Sequence, residues 1–317
     1  MSEVQLRQAT TDDVAGILDT LKLALGETPT LRRTPELWNW KHQANPFGRS
    51  IVFVASDGAT IAGVRALMRW DLMWGDDLVR CVRAVDTATH PKYRRRGIFR
   101  SLTELALDAA TEDGVNLVFN TPNEQSAPGY LDMGWSRVSS VGVQMRPRFG
   151  RAESPDPFAA PDMALVGPGF APIGEMPFDL EQGPARGLRT PRSKPYLTWR
   201  FQRHPTASYG WLEDSSRSGM VGRASTRNGR SELVVSDLFG FPRPSVISRA
   251  ARSARSRYLA GWFSPASSKR RVAIRGGLLP IPGVRSLQLV ARPLSDLPMN
   301  PLTLDTWDIA TSDLELL

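Results

Sequence analysis

Apolar and polar positions in the first 30 residues predict a strand followed by a helix. Residues 4–7 alternate as a half-buried strand does. The polar stretch Thr10 to Asp13 then precedes apolar residues at positions 14, 17, 18, 21 and 25, which share one face of a helix. Threonine and aspartate are favoured at helix starts, so we expect a capped amphipathic helix directly after this stretch.

The next segment predicts antiparallel strands and a second helix. Apolar runs over 51–55 and 60–70 flank the pair Asp57-Gly58, which is a strong hairpin signal. A further strand is expected over 78–89. After Pro91 the apolar positions 99, 102, 105, 106 and 109 follow a helical period, and the helix is expected to end near Gly114.

A buried strand over 115–119, a second short helix and a final strand over 138–146 complete the first half. Strands and helices that mix in this order are typical of an α/β (α+β layered) domain of about 145 residues. The segment 147–195 is rich in proline and glycine, which indicates a linker or an extended wrapping segment. We therefore predict a first domain over 1–146, a linker over 147–195 and a second domain over 196–317.

Three short patterns of the first half return in the second half in the same order. Trp40-Lys41-His42-Gln43 with Pro46 returns as Trp199-Arg200-Phe201-Gln202 with Pro205, Asp86 with Pro91 returns as Asp237 with Pro242, and Arg146-Pro147 returns as Arg292-Pro293. The offsets shrink slowly along the chain, as small deletions in one copy would cause. The second half is therefore predicted to be a duplicate of the first.

Composition narrows the class of protein. The 317 residues have a hydrophobic content of 41%, which argues against disordered and fibrous chains. No apolar run reaches the length of a membrane span, and the first residues do not resemble a signal peptide. A lone cysteine, Cys81, and three scattered histidines exclude an internal disulfide and a Cys/His metal site. We expect a cytoplasmic protein without a metal ion.

The net charge of +8 is unevenly distributed. Residues 1–146 contain 17 basic and 17 acidic side chains, so the whole excess lies after them. No acidic residue falls between Asp237 and Asp296, and a positive field there would attract an acidic partner. The alternative is codon usage, because only five of the 40 cations are lysine.

The densest functional motif connects the strand over 78–89 to the helix after Pro91. It reads Thr87-Ala88-Thr89-His90-Pro91-Lys92-Tyr93-Arg94-Arg95-Arg96-Gly97-Ile98-Phe99-Arg100. A glycine at a helix start allows close approach of a ligand, and the free N–H groups of the first turn bind phosphate. The three arginines would neutralise its charge.

With these residues the sequence resembles the GNAT superfamily of acetyl-CoA-dependent N-acetyltransferases. The family's pyrophosphate loop, Gln/Arg-x-x-Gly-x-Gly/Ala, is similar to Arg94-Arg95-Arg96-Gly97-Ile98-Phe99, although Phe99 replaces a small residue. A second family motif, Asn-x-x-Ala-x-x-x-Tyr-x-x-x-Gly-Phe, is similar to the segment from Asn123 to Trp135. The resemblance covers residues 4–146. It implies two GNAT-like domains, the second degenerate, each with a mixed, mostly antiparallel sheet flanked by helices.

The resemblance also implies where acetyl-CoA binds. A splayed β-bulge would present main-chain groups to the pantetheine arm, and the loop and helix start would hold the pyrophosphate. The residues implied are Val85, Thr87, Ala88, Thr89, Arg94, Arg95, Arg96, Gly97, Ile98, Phe99, Arg100, Ser101, Asn123 and Ser126. The second half has no arginine–glycine loop after Pro242, and Pro280 and Pro282 stand where a cofactor helix would lie.

Acetyl transfer to an amine needs a proton donor for the departing thiolate and an acceptor for the proton of the amine. Tyr130 stands at the position of the family's general acid, and a packed aromatic is the alternative role. Asp86 is the nearest candidate for the base, against a structural aspartate that orders the turn. His90, the other candidate, fits better as a residue that caps or positions the turn.

Aromatic residues next to cations are candidate contacts for the acceptor amine, with core packing as the alternative. The candidates are Trp38, Trp40, Lys41, Trp199, Arg200 and Tyr209. The acceptor is expected to be a small-molecule amine, and an amino sugar or a nucleotide-linked amino sugar would suit the basic second half. The tail with Asp308 and Asp313 carries carboxylates that could close over a pocket. Monomer and homodimer both remain open.

Two other functions are weighed against acetyl transfer. Aminoacyl or peptidyl transfer to a cell-wall precursor also occurs in tandem folds of this kind, but the intact CoA loop disfavours it. A non-enzymatic module could bind a polyanion through a basic helix over 245–259. Nucleic acid is not expected, because the arginines of that helix lie on several faces without stacking aromatics.

Overall fold

The computed structural model describes residues 4–27, 32–148, 167–178, 180, 187–215, 217–227, 229–281 and 287–314. The chain forms two compact units, each built around a seven-stranded sheet. Unit 1 comprises residues 1–72, 78–138 and 289–302, and unit 2 comprises residues 73–77, 139–288 and 303–317.

The sheet of unit 1 is mixed and flanked by helices. Its strands, in spatial order, are β1 (Gln5–Gln8), β2 (Ile51–Asp57), β3 (Thr60–Arg69), β6 (Cys81–Thr89), β7 (Leu117–Asn120), β16 (Leu287–Pro293) and β8 (Ser136–Val141). Its helices are α1 (Val14–Leu25), α2 (Pro35–His42), α3 (Ile98–Glu112) and α4 (Ala127–Leu131). The separate hairpin of β4 (Leu72–Trp74) and β5 (Asp77–Val79) lies between β3 and β6 in the chain.

The sheet of unit 2 has the same plan. Its strands, in spatial order, are β10 (Ala171–Pro172), β11 (Gly210–Ser215), β12 (Ser218–Arg227), β13 (Arg230–Phe239), β14 (Tyr258–Gly261), β9 (Gln144–Pro147) and β15 (Leu279–Pro280). Its helices are α5 (Lys194–Leu197), which continues as a π-helical turn over Thr198–Gln202, α6 (Ser245–Ser253), α7 (Ser268–Arg275) and α8 (Thr311–Leu314). Both sheets pair their fourth and fifth strands in parallel, and the predicted α/β fold with two duplicated sheets is confirmed.

The two halves of the chain exchange one strand. The sixth strand of the first sheet is β16, from the end of the chain, and the sixth strand of the second sheet is β9, from the first half. Arg146 and Arg292, predicted to be repeat partners, thus hold equivalent places. Arg292 donates to the carbonyl of Met133 at 2.6 Å, and Arg146 donates to the carbonyl of Gly276. The sequence predicts one continuous strand over 138–146, before the predicted boundary at residue 146. The structure has two strands here, β8 in the first sheet and β9 in the second.

Alternation along the strands places apolar residues on both faces of the first sheet. Val52 and Val54 of β2 pack with Ile17 and Leu21 of α1, whereas Ile51 packs against residues of α3. Thr10 and Asp13 form the predicted capping box before α1. A Cβ atom on Gly63 would meet Ile98 at 2.6 Å, so glycine allows β3 to lie close to the start of α3.

Candidate active site

A β-bulge interrupts β6 at the position predicted from the sequence. Ala66 of β3 pairs with Val85 and Val64 pairs with Ala88, so that Arg65 faces two residues, Asp86 and Thr87. Asp86 has a φ of 42°, and a left-handed non-glycine residue of this kind is strained. The rest of the unit must therefore hold this residue in place.

Three side chains hold the Asp86 carboxylate. Arg33 lies 3.2 Å from Oδ1, and Lys41 and His42 of α2 lie 3.0 and 3.1 Å from Oδ2. Burial raises the pKa of Asp86, but the charge of Lys41 and the hydrogen bond from His42 outweigh burial and hold the pKa far below its usual range. Burial lowers the pKa of His42 more than Asp86 raises it, so His42 is neutral at pH 7.

These contacts do not favour Asp86 as the general base, and that role stays a prediction. A carboxylate that stays ionised far below neutral pH is a weak proton acceptor, and its two oxygens already accept three donors. The alternative role, a structural aspartate at the turn, agrees with these contacts. His90 is also structural, because its Nδ1 accepts a hydrogen bond from the main-chain N–H of Lys92 at 3.2 Å.

The segment between β6 and α3 forms a tight, exposed loop. Arg95 and Gly97 both have left-handed φ values, 63° and 77°, and Gly97 is the N-terminal cap of α3 without any side-chain cap. Left-handed residues in such a turn are typical of concave main-chain anion sites. Arg94, Arg95 and Arg96 are exposed, and within the described ranges none forms an ion pair with a carboxylate.

Phe99, the departure from the usual loop motif, packs against α4. Its ring lies edge-on to Tyr130 with the centroids 5.6 Å apart, and a Cβ atom on Gly129 would come within 3.0 Å of Phe99. Gly129 thus provides the space that the larger residue needs. Phe99 points toward α4, away from the main-chain N–H groups at the helix start.

Tyr130 is buried next to the bulge and accepts a hydrogen bond from Arg65. Arg65 Nη1 lies 2.6 Å from the Tyr130 hydroxyl and 2.9 Å from the Thr87 hydroxyl. Arg65 is fully buried, and its Nε and Nη2 find no hydrogen-bond partner among the described residues. Arg65 was not among the residues predicted for the site. Its signal in the sequence is a charged residue in the middle of the apolar run of β3.

Comparison with known proteins identifies this arrangement. Residues 5–138 match the family model of the acetyltransferase (GNAT) domain. Residues 5–138, the larger part of unit 1, are a GNAT acetyltransferase domain, called the GNAT domain below. No curated protein has a sequence that matches this chain.

Solved structures share the fold over almost the whole chain. A GCN5-related N-acetyltransferase from Anabaena variabilis superposes with a TM-score of 0.59 at 13% identity, covering 92% of this chain and 73% of its own. Eis1 from Mycobacterium abscessus gives 0.59 at 14% identity, with 92% and 74% covered. A putative acetyltransferase from Pyrococcus horikoshii gives 0.54 at 12% identity, with 100% and 96% covered. The fold of the whole chain therefore also occurs in other proteins.

The GNAT domain offers a suitable place for acetyl-CoA, the donor that this fold uses. The uncapped start of α3, the left-handed loop and three unpaired arginines are suited to a pyrophosphate. Arg100 lies 3.7 Å from Glu104 on the exposed face of α3. The Asn123 side chain accepts hydrogen bonds from the N–H and hydroxyl of Ser126, so these two residues order the start of α4. Their contacts with acetyl-CoA stay a prediction.

The six candidate contacts for the acceptor are buried. Trp38, Trp40, Lys41, Trp199, Arg200 and Tyr209 are each at most 5% exposed. Burial of this degree agrees with the core role that the sequence left as the alternative, and a contact with the acceptor stays a prediction. Trp38 and Lys41 line a narrow cavity together with Arg33, Thr34 and Asp86 and with Leu18, Leu21 and Leu37.

Unit 2 keeps the fold of the GNAT domain and lacks its site residues. A bulge in β13 carries Asp237, which pairs with Arg192 at 2.7 Å. The main-chain N–H of Arg243, just before α6, donates to the Asp214 carboxylate at 2.7 Å. Helix α7 corresponds to α4, because Arg146 binds the carbonyl of Gly276 after α7 as Arg292 binds the carbonyl of Met133 after α4. Three residues before these carbonyls, α4 has Tyr130 and α7 has Ala273.

Two details of the second half differ from the sequence prediction. The counterpart of the cofactor helix is α7, upstream of Pro280, which lies in β15, while Pro282 lies outside the described residues. The basic helix ends at Ser253, because Leu259 belongs to β14 and is fully buried. The described ranges contain neither a membrane-spanning helix nor a cluster of metal-binding side chains.

Proposed function

We propose that the protein is an N-acetyltransferase that moves acetyl from acetyl-CoA to the primary amine of a small molecule by direct attack. The observation that carries the proposal is the arrangement in one GNAT domain of an open anion loop, a bulged strand and a buried tyrosine held by an arginine. Unit 2 keeps a bulged strand, but Asp214 accepts from the main-chain N–H of Arg243 before α6 and Ala273 stands in the place of Tyr130. One acetyl-CoA per chain follows.

Tyr130 is the proposed proton donor. Acetyl-CoA, when bound, supplies the acetyl thioester, and its sulfur needs a proton as the acetyl group leaves. Arg65 donates to the Tyr130 oxygen, so the hydroxyl hydrogen of Tyr130 stays available for another acceptor. The tyrosine is 4% exposed, which keeps bulk water from competing for that proton.

The other predicted residues take supporting roles. Main-chain groups of Val85 to Thr89 at the bulge and the loop from Arg94 to Ser101 would orient the donor, with Asn123 and Ser126 at the start of α4. Asp86 orders α2 against the bulge and is not proposed as the base. The proton of the amine is proposed to leave through water. A cytoplasmic location stays a prediction from the sequence.

The amino-sugar acceptor remains the finer part of the proposal. Its aromatic argument is lost because the tryptophans are buried, so it rests on the basic charge of the second half. A panel of amino sugars, nucleotide-linked amino sugars and simple amines, assayed by release of the CoA thiol, tests it. Absence of release with every sugar would remove this class.

The variant Tyr130→Phe tests the assignment of the acid. We expect turnover to fall about a hundredfold or more, with unchanged calorimetric affinity for acetyl-CoA, because only the proton donor is removed. Tyr258→Phe is the control, since it removes a half-buried tyrosine hydroxyl of unit 2 that donates to Glu232. Unchanged turnover of Tyr130→Phe would refute the role. Absence of acetyl-CoA binding at tens of micromolar would favour the polyanion-binding module.

A further inference from the structure

The two units carry the same cation cluster at the same place in the fold. In each, an aspartate on the bulge of the fourth strand pairs with an arginine that directly precedes a capped short helix. These pairs are Asp86 with Arg33, before Thr34 and α2, and Asp237 with Arg192, before Ser193 and α5. The correspondence provides a comparison between two sites within one chain.

A second cation follows eight residues after each arginine. Lys41 donates to Asp86 at 3.0 Å, and Arg200 donates through Nε to the carbonyl of Ser312 at 3.1 Å. The cluster of unit 1 therefore has two cations for the one carboxylate of its bulge. In unit 2, Lys269 also donates to Asp237, at 2.8 Å, so that cluster has three cations. A buried excess of positive charge requires a further anion.

Unit 2 supplies that anion from its own chain. The Asp313 carboxylate of α8 receives Arg192 through two hydrogen bonds of 2.7 and 2.9 Å, and it is 1% exposed. The neighbouring Ser312 hydroxyl donates to Asp237 at 3.0 Å. Asp313, one of the predicted tail carboxylates, thus occupies an anion position in unit 2. Its two hydrogen bonds with Arg192 form the bidentate pair that is typical of arginine and a carboxylate.

Unit 1 leaves the corresponding position open. Within the described ranges, no carboxylate other than Asp86 lies within 4.0 Å of the side-chain nitrogens of Arg33 or Lys41. Glu27 accepts only from the main-chain N–H of Arg33, at 2.6 Å. The narrow cavity described above lies here. Trp38 lines it, and the buried indole N–H of Trp38 has no partner among the described residues.

We infer that Arg33, Lys41 and Trp38 bind a carboxylate carried by the acceptor, so that the substrate class is an amine that also bears a carboxylate. Asp313 is the internal stand-in for this group in unit 2. The inference rests on the proposed function, because it assigns the acceptor of that same site. According to this inference, the acceptor is recognised by a specific site in unit 1. The basic charge of the second half is then not needed to explain acceptor recognition.

Matched pairs of amines test the inference on the unaltered chain. Glycine, β-alanine and lysine are compared with glycinamide, β-alaninamide and lysinamide, first by calorimetry on the CoA-saturated protein and then by thiol release. We expect at least one carboxylate to bind and react about tenfold or more better than its amide, as a charge-assisted hydrogen bond allows. Equal values for every pair, or binding of none, overturn the inference.

The failure of the proposed function is a different result. It would show as absence of acetyl-CoA binding and of thiol release with any amine. Thiol release with amides and carboxylates at equal rates leaves the acetyltransferase intact and removes only the carboxylate site.

Lys41→Met, with Lys22→Met on exposed α1 as control, locates the site. We expect the KM of the preferred carboxylate to rise about tenfold and the preference over its amide to disappear in the Lys41 variant alone. Lys41→Met could unfold because it loses the contact with Asp86, so Lys41→Arg, which keeps the positive charge, is the second variant. Lys41→Arg should retain the preference for the carboxylate over its amide. A folded Lys41→Met with unchanged preference, or a folded Lys41→Arg that loses it, contradicts the site.

Discussion

Unit 1 and unit 2 share a sheet plan, a bulge with an aspartate and a helix that delivers two cations, yet they differ in what occupies the anion positions. In unit 2 protein carboxylates lie there, Asp214 at the start of α6 and Asp313 at Arg192. Among the described residues of unit 1, no carboxylate pairs with Arg94, Arg95 or Arg96, and Asp86 is the only carboxylate that pairs with Arg33 and Lys41. Unit 2 thus keeps the same sheet plan while carboxylates of its own chain occupy these positions.

The largest expected effect comes from removing the arginine of unit 2. Arg192→Met leaves Asp237 and Asp313 buried with Lys269 as the remaining cation near Asp237, and we expect the free energy of unfolding to fall by about 3–5 kcal/mol. Arg33→Met should cost less, because Asp86 keeps Lys41 and His42. Urea denaturation measures both. Equal losses would refute the difference between the units.

Removing Arg65 should separate activity from stability in unit 1. Arg65→Met is expected to lower turnover about tenfold to a hundredfold with little change in KM for acetyl-CoA, because Tyr130 loses its hydrogen-bond donor. The unfolding free energy should be unchanged or higher, since the buried cation has no described carboxylate partner. Arg65→Lys, which keeps the charge, should restore part of the turnover. A destabilised variant with normal turnover would make Arg65 purely structural.

The loop glycine is expected to matter for ligand affinity more than for the fold. Gly97→Ala places a side chain at φ 77°, which costs about 1–2 kcal/mol, and we expect acetyl-CoA affinity to fall about tenfold as the loop relaxes. Gly58→Ala is a matched control in the same unit, at φ 57° with no atom within 4 Å of the added Cβ. Calorimetry should show weaker binding only for Gly97→Ala. Equal affinities would contradict an ordered anion loop.

The smallest expected effect is on the pH dependence of stability, and it comes from His42, whose repeat position in unit 2 holds Phe201. The pKa of His42 is lowered by burial, so below its unfolded value of about 6.5 the unfolded chain binds more protons and stability decreases as the pH falls. The contribution is at most about 1.4 kcal/mol per pH unit. His42→Asn should flatten the decline between pH 7 and 5 in urea denaturation. Phe201, the counterpart of His42 in unit 2, does not titrate. If His42→Asn left the slope of unfolding free energy against pH unchanged, the lowered pKa of His42 would be refuted.

Local signals predicted most elements of unit 1. The capping box, the Asp57-Gly58 hairpin and the helix after Pro91 depend on neighbours in sequence, and they lie within a few residues of the predicted bounds. The burial of the acceptor candidates could not be predicted in this way. An indole beside a cation has the same local pattern whether it is buried or exposed, and only packing decides between the two.

Spacing, glycine positions and helical period are local properties, and they were enough to predict a duplicated α/β fold with the anion loop and Tyr130 in one copy. The folded chain was needed for the exchange of β9 and β16, the three donors on Asp86 and the place of Arg65 at the Tyr130 hydroxyl. Such contacts join residues far apart in sequence: His42 and Asp86 are 44 positions apart, and the hydrogen-bonded pair Asn116 and Ser295, beside the β7–β16 pairing, is 179 positions apart. Which of several cations meets a given carboxylate at such separations depends on the folded packing.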